Sequence, residues 1–271
     1  MGFVHELAVV EGLCRRAGEL VRGYFGSGIP VEQKPGEGPV TRADREASEL
    51  IVAGLRAEFP ADGVLSEEAP DDGSRRLAPR VWMVDPVDGT SDFVRGREGF
   101  AVMVGLLVGA EPTLGVVLQP TTGLLYRALR GQGAERVDAA GEAGPLAVST
   151  VDDLAEVRLV ASLSHRSHDI DRVRAALGVR DELNLGSIGL KLGLIARGER
   201  DLYVNPDSHS SLWDTLGPEV IVVEAGGRLS DLFGAPIDYR SPSLRHRRGL
   251  VASNGRLHPR VIARLGPLFS R

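Results

Sequence analysis

Apolar residues recur at helical spacing over 4–24, at Leu7, Val10, Leu13, Cys14, Ala17 and Leu20–Val21, which predicts an amphipathic helix. Gly23 and Gly26–Ser27–Gly28 end it. Two prolines and two glycines in the segment Glu32–Val40 predict a mobile loop. Thr41 reads as the N-cap of a second helix over 42–58, and Pro60 to Gly63 as a turn. Val64–Glu68 is a short strand that runs into the polar segment 69–80. Strands then dominate: Val81–Val84, Phe100–Val108, Thr113–Gln119 and Leu124–Arg130, the middle two joined as a hairpin across Gly109–Pro112. This predicts an antiparallel meander with helices on one side. Past about 145 the strands 157–161, 182–185, 201–204, 228–232 and 249–252 alternate with helices 169–177, 188–197, 214–225 and 257–269, the texture of an α/β layer. The expected division is an N-terminal α+β domain over 1–147 and a C-terminal α/β domain over 148–271.

Composition narrows the class. A chain of 271 residues suits two domains or one large layered one. A formal net charge of −5 argues against a general nucleic-acid binder, yet a local site can still be positive. One cysteine, Cys14, excludes an internal disulfide and fits a reducing compartment. The N-terminus shows no signal peptide, and no apolar run approaches the roughly 20 residues of a membrane span. A soluble cytoplasmic protein is expected. Lys34 and Lys191 are the only lysines beside 30 arginines, which makes each worth following.

The stretch Val84-Asp85-Pro86-Val87-Asp88-Gly89-Thr90 carries the chemistry. Two carboxylates end an apolar strand, and a Gly-Thr step opens a short helix. Carboxylates hold hard divalent cations, and the amides of Gly89, Thr90 and Ser91 at a helix start suit phosphate. Pro86 fixes the backbone, so the Val87 carbonyl points in a set direction. The plainer reading of D-x-x-D is an Asx turn; the strand before it and the helix after it favour metal-assisted chemistry on a phosphate ester. By themselves, Glu67 and Glu68 in Ser66-Glu67-Glu68 read as solvated acids, and Asp214 in Trp213-Asp214-Thr215 as an N-cap.

Together these segments resemble a family. Thr41-Arg42-Ala43-Asp44, Ser66-Glu67-Glu68, Asp85–Thr90 and Trp213-Asp214…Glu224-Ala225-Gly226-Gly227 match the inositol monophosphatase superfamily in type, order and rough spacing, over nearly the whole chain. The resemblance implies a layered αβαβα sandwich, α+β and α/β in class, and a lithium-sensitive, Mg²⁺-dependent phosphomonoesterase. It implies that Glu67, Asp85 and the Val87 carbonyl hold one Mg²⁺, and that Asp85, Asp88 and Asp214 hold a second. Asp44 and Glu67 would contribute to a third, weaker site. Glu67 and Thr90 would orient and help deprotonate the attacking water, while Asp88, Gly89, Thr90 and Ser91 hold the phosphate. A homodimer is also implied.

Three loops bear on the substrate. Ser164-His165-Arg166-Ser167-His168-Asp169 looks like a segment of the CysQ-type 3′(2′),5′-bisphosphate nucleotidases, where His165, Arg166 and His168 would meet a nucleotide; a capping loop is the structural alternative. Gly186-Ser187-Ile188-Gly189-Leu190-Lys191 opens a helix whose amides, with Ser187 and Lys191, would form a further anion site; here the alternative is a lysine reaching to solvent. Several nucleotidases place that lysine one residue closer to the serine. Some relatives also carry a basic residue in the loop 205–211 to hold a second phosphate, and this chain offers His209 there. The segments favour a nucleotidase that converts 3′-phosphoadenosine 5′-phosphate to AMP. The alternatives are an inositol-1-phosphate or broad sugar phosphatase with the same metals and, more distantly, a non-catalytic Mg²⁺-binding regulator.

Overall fold

A computed structural model describes residues 2–34, 38–71, 73–164, 166–207 and 209–270. The first periodicity forms helix α1, Val4–Tyr24, whose buried stripe Val10, Leu13, Cys14, Ala17 and Val21 faces the core. The proline- and glycine-rich segment contains a small antiparallel hairpin, β1 (Val31–Lys34) on β2 (Gly38–Thr41), rather than only a loop. Its first strand is exposed almost throughout and lacks an apolar alternation, so the pattern gave no signal; residues 35–37 lie outside the described set. Helix α2, Arg42–Glu58, begins at the expected cap. Thr41 Oγ1 accepts from the Ala43 amide, and Asp44 Oδ2 accepts from the Thr41 amide at 2.8 Å.

The first sheet has seven strands in chain order: β3 (Gly63–Ser66), β4 (Arg80–Asp88), β5 (Ala101–Val108), β6 (Glu111–Leu118), β7 (Leu125–Leu129), β8 (Gly133–Val137) and β9 (Ala143–Pro145). Only β3 and β4 pair in parallel; the rest form the expected meander, extended by two strands the pattern did not show. Helix α3, Thr90–Val94, follows β4 directly.

In the second half come β10 (Arg158–Ser162), α4 (His168–Leu177), β11 (Asp181–Leu185), α5 (Ile188–Ala196), β12 (Leu202–Asn205), α6 (Leu216–Glu224), β13 (Arg228–Ser230), β14 (Leu250–Ser253) and α7 (His258–Phe269). The sheet order is β11-β10-β12-β14-β13, parallel at β11-β10-β12 and antiparallel beyond.

Four buried clusters stack these parts into an αβαβα sandwich, one of them joining Leu65, Val81, Met83 and Leu107 of the first sheet to Leu212, Leu216 and Tyr239. Helices α1 and α2 pack on one face of the first sheet. Helices α5 and α6 pack between the two sheets, where Met103, Val117 and Tyr126 meet Val160, Tyr203 and Ala252. Helices α4 and α7 cover the outer face of the second sheet. The first sheet is therefore covered on both faces, not one, and the second cover comes from helices far along the chain. The sheets change over between Pro145 and Arg158, but the core does not divide there. Close approach makes the join: a Cβ on Gly105 would stand 2.6 Å from Gly217 N, and one on Gly217 would stand 2.8 Å from Val104 O. Among the described residues no helix is long and apolar enough to cross a membrane.

Candidate active site

Residues three apart on a regular strand point to opposite faces. Asp85 and Asp88 escape that rule because the β4–β5 register slips between them: Asp85 lies opposite Met103, but Asp88 lies opposite Ala101. The slip contains Pro86, which cannot donate to a ladder and is tolerated at such an irregularity. Both carboxylates consequently line one cleft of about 250 Å³, together with Val87. The Val87 amide donates to Asp85 Oδ1 at 3.0 Å.

Gly89 turns the chain with φ +93°, and a Cβ there would meet Gly99 O at 2.7 Å. The α3 ladder starts only with Asp92 N to Gly89 O at 2.8 Å, so the amides of Gly89, Thr90 and Ser91 precede it, and all three residues line the cleft. Thr90 Oγ1 lies 2.9 Å from both Asp44 Oδ1 and the Val87 carbonyl, and donates to these acceptors. Asp44 is buried, with its other oxygen taken by the amide and hydroxyl of Thr41. Burial raises its pKa, and those hydrogen bonds oppose the rise. Asp44 thus reaches the cleft through Thr90.

Glu67 enters from the end of β3, where its amide continues the pairing to Val84 O at 3.1 Å. Asp214 enters from the turn before α6. It does not cap the helix, a position taken by Thr215, and instead accepts from the Ser211 amide at 2.6 Å. Burial raises Asp214 to about 7, with Asp88 adding repulsion. Burial pushes Glu67 and Asp85 well above the carboxylate range, reinforced by Asp214 at Glu67 and by Glu67 at Asp85. Asp88 is raised least conspicuously: burial is offset by Lys191, Ser187 and the Gly189 amide.

Lys191 lines the cleft, and Lys34 stands beside it against the two glutamates. Lys34 lies 2.6 Å from Glu68 and 4.0 Å from Glu67. Lys191 is buried and does not reach to solvent; its Nζ donates to Leu185 O at 3.1 Å and Gly186 O at 2.5 Å, and lies 5.3 Å from the Tyr203 ring centroid. Burial lowers it to about 8. The anion at the start of α5 is Asp88 itself, whose Oδ2 accepts from Ser187 Oγ at 2.6 Å and the Gly189 amide at 2.9 Å. That carboxylate occupies the place expected for a phosphate and relieves the conflict of a lysine in the first helical turn.

The other substrate loops divide. Ser162 and Ser164 line the cleft. Arg166 is held outside it by Glu182 at 2.7 Å and Asp171 at 2.6 Å, and His168 is exposed at the start of α4. His165 lies outside the described residues. From the 205–210 loop Asn205, Asp207 and His209 face the cleft. Arg245 also lines it, a residue the motif reading missed because it lies far beyond Asp214 without a local pattern.

The donor set fits a hard divalent cation. Glu67, Asp85, Asp88 and Asp214 are all oxygen donors on one cleft, and the Val87 carbonyl adds a neutral one. Asp214 adds its repulsion to the burial that raises Asp85, a like-charge conflict that a cation between the two acids would relieve. Among the described residues no three such side chains are already closed into a cation cage.

A sequence model of the inositol monophosphatase family matches residues 4–267. The histidinol-phosphatase of Mycobacterium tuberculosis is 36% identical over 265 residues, covering 96% of this chain and 97% of that protein. The 3′(2′),5′-bisphosphate nucleotidase CysQ of Salmonella typhimurium is 34% identical over 230 residues, covering 84% and 91%. An IMPase of Thermotoga maritima has a similar structure, with a TM-score of 0.82 at 28% identity over 97% of this chain and 96% of that one.

Proposed function

The chain belongs to the inositol monophosphatase family and is a phosphoric monoester hydrolase, and on that premise we propose that it removes the 3′-phosphate of 3′-phosphoadenosine 5′-phosphate with Mg²⁺. The observation that carries the chemistry is the convergence of four carboxylates, a turn of leading amides and the Thr90–Asp44 pair on one cleft. Glu67, Asp85, the Val87 carbonyl, Asp88 and Asp214 would hold the cations. When bound, Mg²⁺ supplies charge neutralisation on the phosphoryl oxygens and acidifies water. The amides of Gly89, Thr90 and Ser91 orient the phosphate. Thr90 points its proton at Asp44 or Val87 O, which leaves its oxygen lone pairs to accept from the attacking water. Glu67, partly exposed to the cleft with a raised pKa, is the second acceptor for that proton. Water oxygen bonds to phosphorus as the ester P–O bond breaks on the opposite side, and the departing 3′-oxygen takes up a proton to give AMP.

Support for a nucleotide comes from the CysQ relatives and from a cleft whose lining adds the polar side chains of Ser162, Ser164 and Asn205 to the carboxylates. A second reading, histidinol phosphate, has its own support: the match to a histidinol-phosphatase spans nearly both chains, and Asp207 offers a carboxylate to an ammonium. Phosphate release at fixed Mg²⁺ from the bisphosphate, histidinol phosphate and inositol 1-phosphate compares these directly. The expected result is kcat/KM highest for the bisphosphate by about 10-fold or more. Faster turnover of either other ester rejects the nucleotidase reading.

A further inference from the structure

We infer that Arg245 sets the specificity of this cleft by binding the phosphate that is not cleaved. The inference rests on the bisphosphate reading above and names the residue that would enforce it.

A second phosphate needs a cation, and the cleft has few. Among the described residues lining it, Lys191 and Arg245 carry permanent or near-permanent positive charge. Lys191 is 1% exposed, and its ammonium donates to two backbone carbonyls beneath the surface, within the field of Asp88. Arg245 is half-buried at the wall. Its planar fork suits a phosphate better than an ammonium does.

The backbone holds this arginine in place. Arg245 forms an isolated antiparallel bridge with Ser211, flanked by Leu212 N to Leu244 O at 2.9 Å and His246 N to Ser210 O at 3.0 Å. Its Nη1 donates to His209 O at 3.0 Å. Beneath it His246 is buried and bonded through Nε2 to Thr215 Oγ1 at 2.8 Å, which in turn meets Tyr239 OH at 3.2 Å. The loop 205–211, which supplies no lysine or arginine of its own, is thus furnished with one from a strand-like segment paired alongside. The same Ser211 donates its amide to Asp214, so the arginine lies one backbone bridge from a proposed cation ligand, and Asp214 feels its charge. A substrate whose scissile phosphate sits by Asp85, Asp88 and Asp214 would present its second phosphate along this wall.

The test compares 3′-phosphoadenosine 5′-phosphate with adenosine 3′-phosphate, which keeps the scissile ester and lacks the 5′-phosphate. The readout is the ratio of their kcat/KM values in the wild type, Arg245→Gln and Arg245→Lys, with thermal melting to confirm folding. The expected result is that Arg245→Gln lowers the ratio about 10- to 100-fold, mainly through KM, and Arg245→Lys restores part of it. Equal loss on both esters assigns Arg245 to the reacting phosphate or to structure, and no loss removes it from binding; either overturns this inference and leaves the nucleotidase reading standing. A wild type that does not hydrolyse the bisphosphate overturns both.

Discussion

Thr90 has one hydroxyl proton and two acceptors at 2.9 Å, Asp44 Oδ1 and Val87 O. Whichever takes the proton, the oxygen stays oriented to accept from the cleft. Thr90→Val removes that acceptor while keeping the shape, so kcat for phosphate release should fall about 10²- to 10⁴-fold, with Thr90→Ser recovering most of it. A valine variant with wild-type kcat would take Thr90 out of the proton path. At this scale the sequence was readable where chemistry is written in contiguous residues. The acids of 85–88 and the Gly-Thr step announced themselves because strand end, carboxylates and helix start fall within seven positions. Arg245 did not, because its place depends on a backbone bridge to Ser211 formed only in the folded chain. Lys191 was placed in the first turn of its helix, but the carboxylate that fills that helix start comes from Asp88, about a hundred residues earlier, and local pattern cannot show it.

His258 shows what an element end can contribute. It opens α7 and ties two strands to it, with Nε2 2.8 Å from Ser230 Oγ on β13 and Nδ1 2.9 Å from Ser253 Oγ on β14. Burial lowers its pKa to about 4, from an ordinary value of 6.5. A folded pKa below the unfolded one means that stability is fully present above 6.5 and is lost as pH falls towards 4. Over that window the single ring accounts for up to about 3 kcal/mol. His246, also lowered to about 4 by burial, acts in the same direction. His258→Gln should melt lower at pH 7.5 and lose less stability between pH 6.5 and 4 than the wild type, as read from Tm against pH. An unchanged acid limb would show that the ring is not held neutral. A second element prediction concerns α6: Gly217→Ala should cost about 1–3 kcal/mol by forcing the helix off Val104, measured by denaturant unfolding. Helices and long strands were legible because each carries a full period of apolar residues. The hairpin β1–β2 and the strands β8 and β9 were not, since they are short, β1 and β9 are largely solvated, and β2 and β8 bury only two residues each, too few to show a period.

The whole molecule places its cleft where the halves of the chain meet. Glu67, Asp85 and Asp88 come from the first sheet, and Asp214 from the turn into α6 of the second half. The residue pattern predicted helices on one face of the first sheet because it reads neighbours in sequence; the second face is covered by α5 and α6, and that closure concentrates the acids. The arrangement has a thermodynamic consequence. With folded pKa values raised above unfolded ones, these carboxyls bind protons more tightly in the fold; without a cation the contribution of Asp214 is complete below about pH 4 and is lost as pH rises through about 7, and Glu67 and Asp85 act in the same direction. A divalent cation needs the same groups deprotonated, so protons compete with it. Mg²⁺ should therefore raise Tm more at pH 8 than at pH 6, by an amount equivalent to about 2.7 kcal/mol when its concentration reaches 100 times Kd. Asp214→Asn should shrink that increment and flatten its pH dependence, because it removes both a ligand and a carboxyl that titrates near 7. Thermal melts with Mg²⁺ or EDTA at the two pH values measure this without any substrate. An equal Mg²⁺ increment at pH 6 and pH 8, in wild type and variant alike, would place the cation somewhere other than these carboxylates.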